Sequence, residues 1–194
     1  MPLLNGRELF ELVIMIVGLG YIFMGSFQQP RTITDYLQKF RFDWKAFSLA
    51  ILITAPAIVL HELAHKFMAL FLGLYAQFHA SFYGLGIGVV LRLIQSPFIV
   101  FVPGYVSICG DVGCTTGVPA LSSAITAFVG PGMNLLLFVI AYFVLRSATK
   151  LTMRQKMLWY ATKQINLFLF FFNMIPIPPF DGFGVVRGLF SAFS

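Results

Sequence analysis

The sequence predicts a mainly α-helical, polytopic membrane protein, with about four or more transmembrane helices and a small membrane-associated β-sheet between the second and third. Three observations carry this. Of 194 residues, 59% are hydrophobic and only 10% charged, where a soluble domain carries about a quarter charged residues. Long apolar runs recur along the chain, each of a length that crosses a bilayer. Between two of them lies a glycine-rich stretch in which apolar and polar residues alternate, the period of a strand.

The first apolar run covers 9–27. Glu8 and Glu11 intrude at its start and no small-residue cleavage site follows, so it reads as a retained span and not a signal peptide. A polar link, 28–45, leads to a second run, 46–72. Pro56 sits inside that run and predicts a kink before His61; Gly73 is a helix stop. From Tyr75 to Tyr83 the residues alternate, and 85–93 and 98–108 are also strand-like, which gives a β region over 75–108. Open sheet edges cannot face lipid, so this region packs on protein or lines a polar cavity. A third run, 121–145, is interrupted by Gly130-Pro131-Gly132. A fourth, 157–175, ends at Pro176, Pro178 and Pro179, with a short tail after Asp181-Gly182. The whole reads as one domain, 1–194. Cys109 and Cys114 are an isolated C-x4-C pair, a poor metal site, and are taken as two separate thiols.

The net charge of +6 is spread over loops that flank apolar runs, as at Arg31, Lys39, Arg41 and Lys45, then Arg146, Lys150, Arg154 and Lys156. That pattern suits a lipid bilayer as partner and excludes nucleic-acid binding. Counting these charges puts the 28–45 and 146–163 links in the cytoplasm, with Arg7, Arg92 and Arg187 opposite. Arg92 has Asp111 or a substrate as possible partners.

Of the seven acidic residues, Glu62 and Asp181 are read as lying in or beside apolar spans, and the other five as belonging to termini or polar links. Ionisable groups at such depth are functional hypotheses. His61-Glu62-Leu63-Ala64-His65 fits H-E-x-x-H. Residues i and i+4 share a helix face, so both imidazoles reach one ion, and the glutamate beside them can take a proton from a metal-activated water. Two histidines leave zinc one protein ligand short. Asp181 is the candidate, set by the prolines of Asn173-Met174-Ile175-Pro176-Ile177-Pro178-Pro179-Phe180-Asp181-Gly182, which hold the chain extended. Asn134, one turn beyond Gly130-Pro131, offers either an amide donor to an oxyanion or an interhelical hydrogen bond.

These motifs, in this order, resemble the site-2 protease family of intramembrane zinc metalloproteases, whose pattern is H-E-x-x-H, then G-P-x-x-N, then N-x-x-P-x-P-x-x-D-G. The resemblance covers about residues 46–188. It implies Zn2+ held by His61, His65 and Asp181, Glu62 as general base, Asn134 near the oxyanion, and a transmembrane protein as substrate. It also implies that the segment after H-E-x-x-H is cytoplasmic, opposite to the charge count. The short stretch between Asn134 and Asn173 leaves no room for the periplasmic insert of some bacterial members. The competing reading is a non-proteolytic zinc-binding scaffold or transporter, which needs the ligands but not Glu62.

Overall fold

The computed structural model describes residues 4–27, 42–96 and 102–194. Its elements in chain order are α1 (Gly6–Phe23, prolonged by a 3-10 turn, Met24–Phe27), α2 (Trp44–Phe71), β1 (Tyr75–Ala80), α3 (Phe82–Leu93), β2 (Gly104–Cys109), α4 (Ala120–Ser147), α5 (Met153–Asn173) and α6 (Asp181–Phe193). Local chemistry sets most ends. Asn5 and Glu8 form a reciprocal capping box at the start of α1, and Thr152 and Gln155 do the same for α5. The Asp43 carboxylate accepts from the Lys45 and Ala46 amides to begin α2. Gly73 (φ +76°) ends α2. There the Leu74 amide donates to Ala69 O (2.9 Å) and the Gly73 amide to Leu70 O (3.0 Å), a Schellman closure that needs the left-handed residue at that position.

Among the described residues, three helices are long and apolar enough to cross a membrane: Gly6–Phe27, Trp44–Phe71 and Ala120–Ser147. The fourth expected span, 157–175, forms as helix α5 but is not among these three, because Lys156, Lys163, Gln164 and Asn166 offset the apolar run that ends it. Both prolines lie inside unbroken helices, Pro56 in α2 and Pro131 in α4. The interruption expected at Gly130-Pro131-Gly132 therefore does not occur.

The sheet has two strands, β1 and β2, antiparallel, pairing Tyr75 with Cys109 through Ala80 with Gly104. Of the region read as strand, 85–93 is instead helix α3. Its start is nucleated by Ser81, whose hydroxyl accepts from the Gly84 amide (3.0 Å). A helix satisfies its own backbone where an unpaired strand in lipid does not. The first part of the expected 98–108 strand, 98–101, lies outside the described residues; the remainder contains β2. Ala76, Phe78 and Ala80 are buried, and Phe78 and Ala80 meet Leu12, Met15 and Leu19 of α1.

Glu8 and Glu11, read as terminal acids, are in fact buried parts of this packing. The Phe78 amide donates to Glu8 Oε1 (2.8 Å) and the Ala80 amide to Glu11 Oε2 (2.9 Å). Two carboxylates of α1 thus occupy the edge of β1 that β2 leaves free. Lys66, one residue beyond His65, also donates to Glu8, with both side chains 2% exposed. Glu8 so ties the start of α1, the end of α2 and the sheet to one side of the molecule.

Two further readings change. Cys109 and Cys114 are joined in a disulfide with Cα atoms 5.0 Å apart. The intervening loop is tight: the Thr115 side chain, with the Thr115 and Thr116 amides, bonds to Asp111 and holds its carboxyl below the usual range. Spacing alone does not reveal such a turn. Arg92 is not paired with Asp111; its guanidinium lies over the Tyr21 ring, 3.9 Å from the centroid.

Breaking a buried ion pair from one side costs about 3–5 kcal/mol, because a charge is left uncompensated. Glu8→Gln keeps an acceptor for the Phe78 amide but strands Lys66. We expect a loss of that order in denaturation of the detergent-solubilised protein, and recovery of most of it in Glu8→Gln/Lys66→Met. Equal stabilities for the single and double variants would show that the pair does not hold the fold.

Candidate metal centre

The two histidines of the HELAH segment lie one turn apart on α2, both buried, with their Nε2 atoms 3.1 Å apart. Asp181, the first residue of α6, brings its Oδ2 to 3.1 Å from His61 Nε2 and 3.4 Å from His65 Nε2. Among the described residues this is the one cluster of three such groups that could hold a metal ion. Zinc bonds nitrogen and carboxylate oxygen at about 2.0–2.2 Å. Ligands at those lengths around a tetrahedral ion stand roughly 3.3 Å from one another, so the donor set fits zinc in both chemistry and spacing.

The opposite ring nitrogens are equally constrained. His65 Nδ1 lies 2.7 Å from the carbonyl of Thr126, which can only accept, so that nitrogen carries the proton and Nε2 is left with its lone pair. His61 Nδ1 lies 2.7 Å from Asn134 Oδ1. Which end of the Asn134 amide faces the ring follows from its other contacts. Nδ2 sits 3.0 Å from Ala57 O and 2.9 Å from Asn166 Oδ1, and the Ala57 carbonyl accepts only. Oδ1 therefore accepts from His61 Nδ1–H, and both imidazoles, when neutral, present a bare Nε2 to the same point.

Of the two readings of Asn134, the hydrogen bonds bear on the interhelical one. Its amide is fully buried and both Nδ2 hydrogens are engaged, by Ala57 O and Asn166 Oδ1. The geometry makes it an orienting partner of His61, the interhelical alternative.

Backbone closeness completes the site. A Cβ added at Gly130 would come within 2.8 Å of His61 Nε2 and overlap the His65 imidazole, so only glycine lets α4 lie against both rings. Gly182 abuts the Met174 and Ile175 carbonyls at the end of α5. Gly188 sits on Ala124 N and Ala120 O of α4, and Gly184 on Ala127 Cβ, a small-residue contact that lets α6 run close along α4. The sequence reading had only a short tail after Asp181; the structure has this helix, and its docking aims Asp181. The proline segment before it is not extended but turned, with the Phe180 amide donating to Ile177 O (3.0 Å).

Glu62 is buried and lines a cavity of about 480 Å³ together with His61, His65 and Asp181. The remaining walls are largely apolar side chains of α4, α5 and β2, with Thr54, Asn173 and Tyr105 among the polar exceptions. Sequence reasoning missed Thr126, Asn166 and the Glu8–Lys66 pair. Lys66 did carry a signal: a lysine inside an apolar helix implies a buried acid partner. So did Asn166, an amide in the apolar half of α5. Thr126 acts through its backbone, which no side-chain motif reports.

The comparisons with known proteins agree with this chemistry. Residues 146–194 match the model of Peptidase family M50, the site-2 protease family. Over 181 residues the chain is 28% identical to a protein of Methanocaldococcus jannaschii whose name assigns it provisionally as a zinc metalloprotease, covering 93% of this chain and 84% of that protein. No solved structure matches. Both likenesses agree with the resemblance to the site-2 protease family drawn from the motifs.

Gly130→Ala should fold but lose zinc, since the added methyl occupies the space of the ligand nitrogens. We expect metal content, measured after equilibration with buffered zinc, to fall at least tenfold, the scale on which disturbed ligand geometry weakens sites. Wild-type occupancy in this variant would refute the close approach of α4.

Proposed function

We propose that the protein is an intramembrane zinc endopeptidase that hydrolyses peptide bonds within or near transmembrane segments of membrane-protein substrates. The observation that carries this is the His61, His65 and Asp181 cluster, with Glu62 beside it, on the wall of a cavity within a bundle of apolar helices. In this reading His61, His65 and Asp181 hold the metal. When bound there, zinc supplies Lewis-acid polarisation of the scissile carbonyl and acidifies the attacking water. Glu62 accepts the proton of that water as its oxygen bonds to the carbonyl carbon. It then returns the proton to the amide nitrogen as the C–N bond breaks, leaving an amine and a carboxylic acid that ionises by giving up its remaining proton. The low-dielectric walls strengthen each of these interactions.

A helical segment hides its peptide bonds and must unwind before attack. The two edges of the sheet differ in a way that bears on this. On β1 the free edge is taken by Glu8 and Glu11. On β2 the residues whose backbone groups point away from β1 include Val106 and Ile108, and both line the cavity with the metal cluster. An unwound substrate added as a third strand on β2 lies beside His61 and Glu62.

The decisive experiment is cleavage of a generic transmembrane substrate in detergent. Glu62→Gln should bind zinc as the wild type does and lose activity by a factor of about 10² or more, as expected for a removed general base; a chelator should abolish cutting. Equal cutting by wild type and Glu62→Gln would sink the mechanism. A wild type that binds zinc yet cuts none of a broad substrate panel would bring the scaffold or transport reading forward. Val106→Pro removes one outward N–H without touching the bonds to β1. It should reduce cleavage about tenfold while zinc content is unchanged, the loss of a main-chain hydrogen bond or two to an extended substrate. Unaltered turnover would remove β2 from substrate binding.

A further inference from the structure

His61 is held by a chain of amides that ends on a helix contributing no ligand. Asn134 of α4 accepts from His61 Nδ1–H (2.7 Å), and its two Nδ2 hydrogens go to Ala57 O (3.0 Å) and to Asn166 Oδ1 (2.9 Å). Asn166, at the middle of α5, is itself fixed by donating Nδ2–H to Thr162 O (2.8 Å). Both asparagines are fully buried. A buried amide pair of this kind is costly to leave partly bonded.

The consequence concerns the tautomer of His61. If the Asn134 amide turned over, its NH2 would face His61 Nδ1, the ring proton would move to Nε2, and the nitrogen aimed at Asp181 could not ligate. Two contacts oppose the turn. The Ala57 carbonyl repels an amide oxygen placed against it. Asn166, held by Thr162 so that its own oxygen faces Asn134, repels the same oxygen. The first contact comes from α2, the helix that carries the ligand. The second comes from α5, the helix that leads into the turn before Asp181.

We propose that Asn166 is a positioning residue for the metal centre, keeping His61 in the Nδ1–H tautomer through Asn134. This rests on the reading of His61 as a zinc ligand, but its test does not need proteolysis. Asn166→Leu removes the acceptor with little change in volume. Asn166→Asp, protonated in this dry surrounding, keeps an acceptor for Asn134 and a donor for Thr162. We expect Asn166→Leu to bind zinc about tenfold more weakly in competition with a chelator, and Asn166→Asp to stay within about threefold of wild type, in line with the loss and retention of an outer-shell partner. In the metal-free protein, 15N shifts of the His61 ring should report a proton on Nδ1 in wild type and Asn166→Asp, and a mixture of protonated and bare Nδ1 in Asn166→Leu. A merely structural asparagine would not divide the variants this way. Wild-type affinity and an unchanged tautomer in folded Asn166→Leu would overturn the proposal. Should that variant not fold, exchange of the Asn134 side-chain amide in the wild type decides: both hydrogens protected supports the relay, and one exchanging freely overturns it. A wild type that binds no zinc would defeat the protease reading, while the tautomer measurement would still judge the relay.

Discussion

A helix buried in lipid satisfies its backbone, but each polar side chain it carries must find a partner inside the protein. With one residue in ten charged, this chain concentrates that requirement at a few places, and the helices assemble around them. Glu8 takes bonds from Lys66, from the Phe78 amide and from its own cap at Asn5. One carboxylate thereby joins α1, α2 and β1. On the other side of α2, His61 and His65 turn their Nδ1 atoms to Asn134 and Thr126 of α4. α2 is thus gripped on both sides of the His61–His65 turn, by an ion pair one residue beyond it and by hydrogen bonds at it.

Polar bonds alone do not bring backbones close enough for a carboxylate from a third helix to join two imidazoles. Glycine does. Gly130 admits α4 against both rings, Gly182 fits beneath the end of α5, and Gly184 and Gly188 lay α6 along the alanines of α4. In lipid, where no hydrophobic force draws helices together, such small-residue contacts supply the packing. α4 packs against α2, α5 and α6 alike, so the position of Asp181 depends on a helix that contributes no residue to its cluster with His61 and His65.

The sheet follows the same economy of exposed edges. Carboxylates of α1 close one side of it, and the opposite side borders the cavity lined by His61, His65 and Asp181. The disulfide between Cys109 and Cys114 closes the loop that leaves β2, and Val118, just past that loop, also lines the cavity.

The sequence by itself determined the apolar character of the long helices, the helices that carry the site and the identity of the clustered residues. Hydropathy is a sum over a segment and needs no neighbours, so the long runs were legible. The i, i+4 spacing of His61 and His65 fixes a shared helix face before any packing occurs. The proline-rich approach to Asp181 marked a helix end, although its turned form and the helix α6 beyond it were not visible. Only the tertiary structure decided whether 85–93 is strand or helix, because a short apolar run reads the same in both and its partners settle it. It alone moved Glu8 and Glu11 from a presumed terminus into the core, joined the two cysteines, and engaged every hydrogen of the Asn134 amide. Each of these depends on which atoms lie opposite one another across helices far apart in the chain, as Asn134 and Ala57 do, or His61 and Asp181, and a linear pattern carries no distance between them.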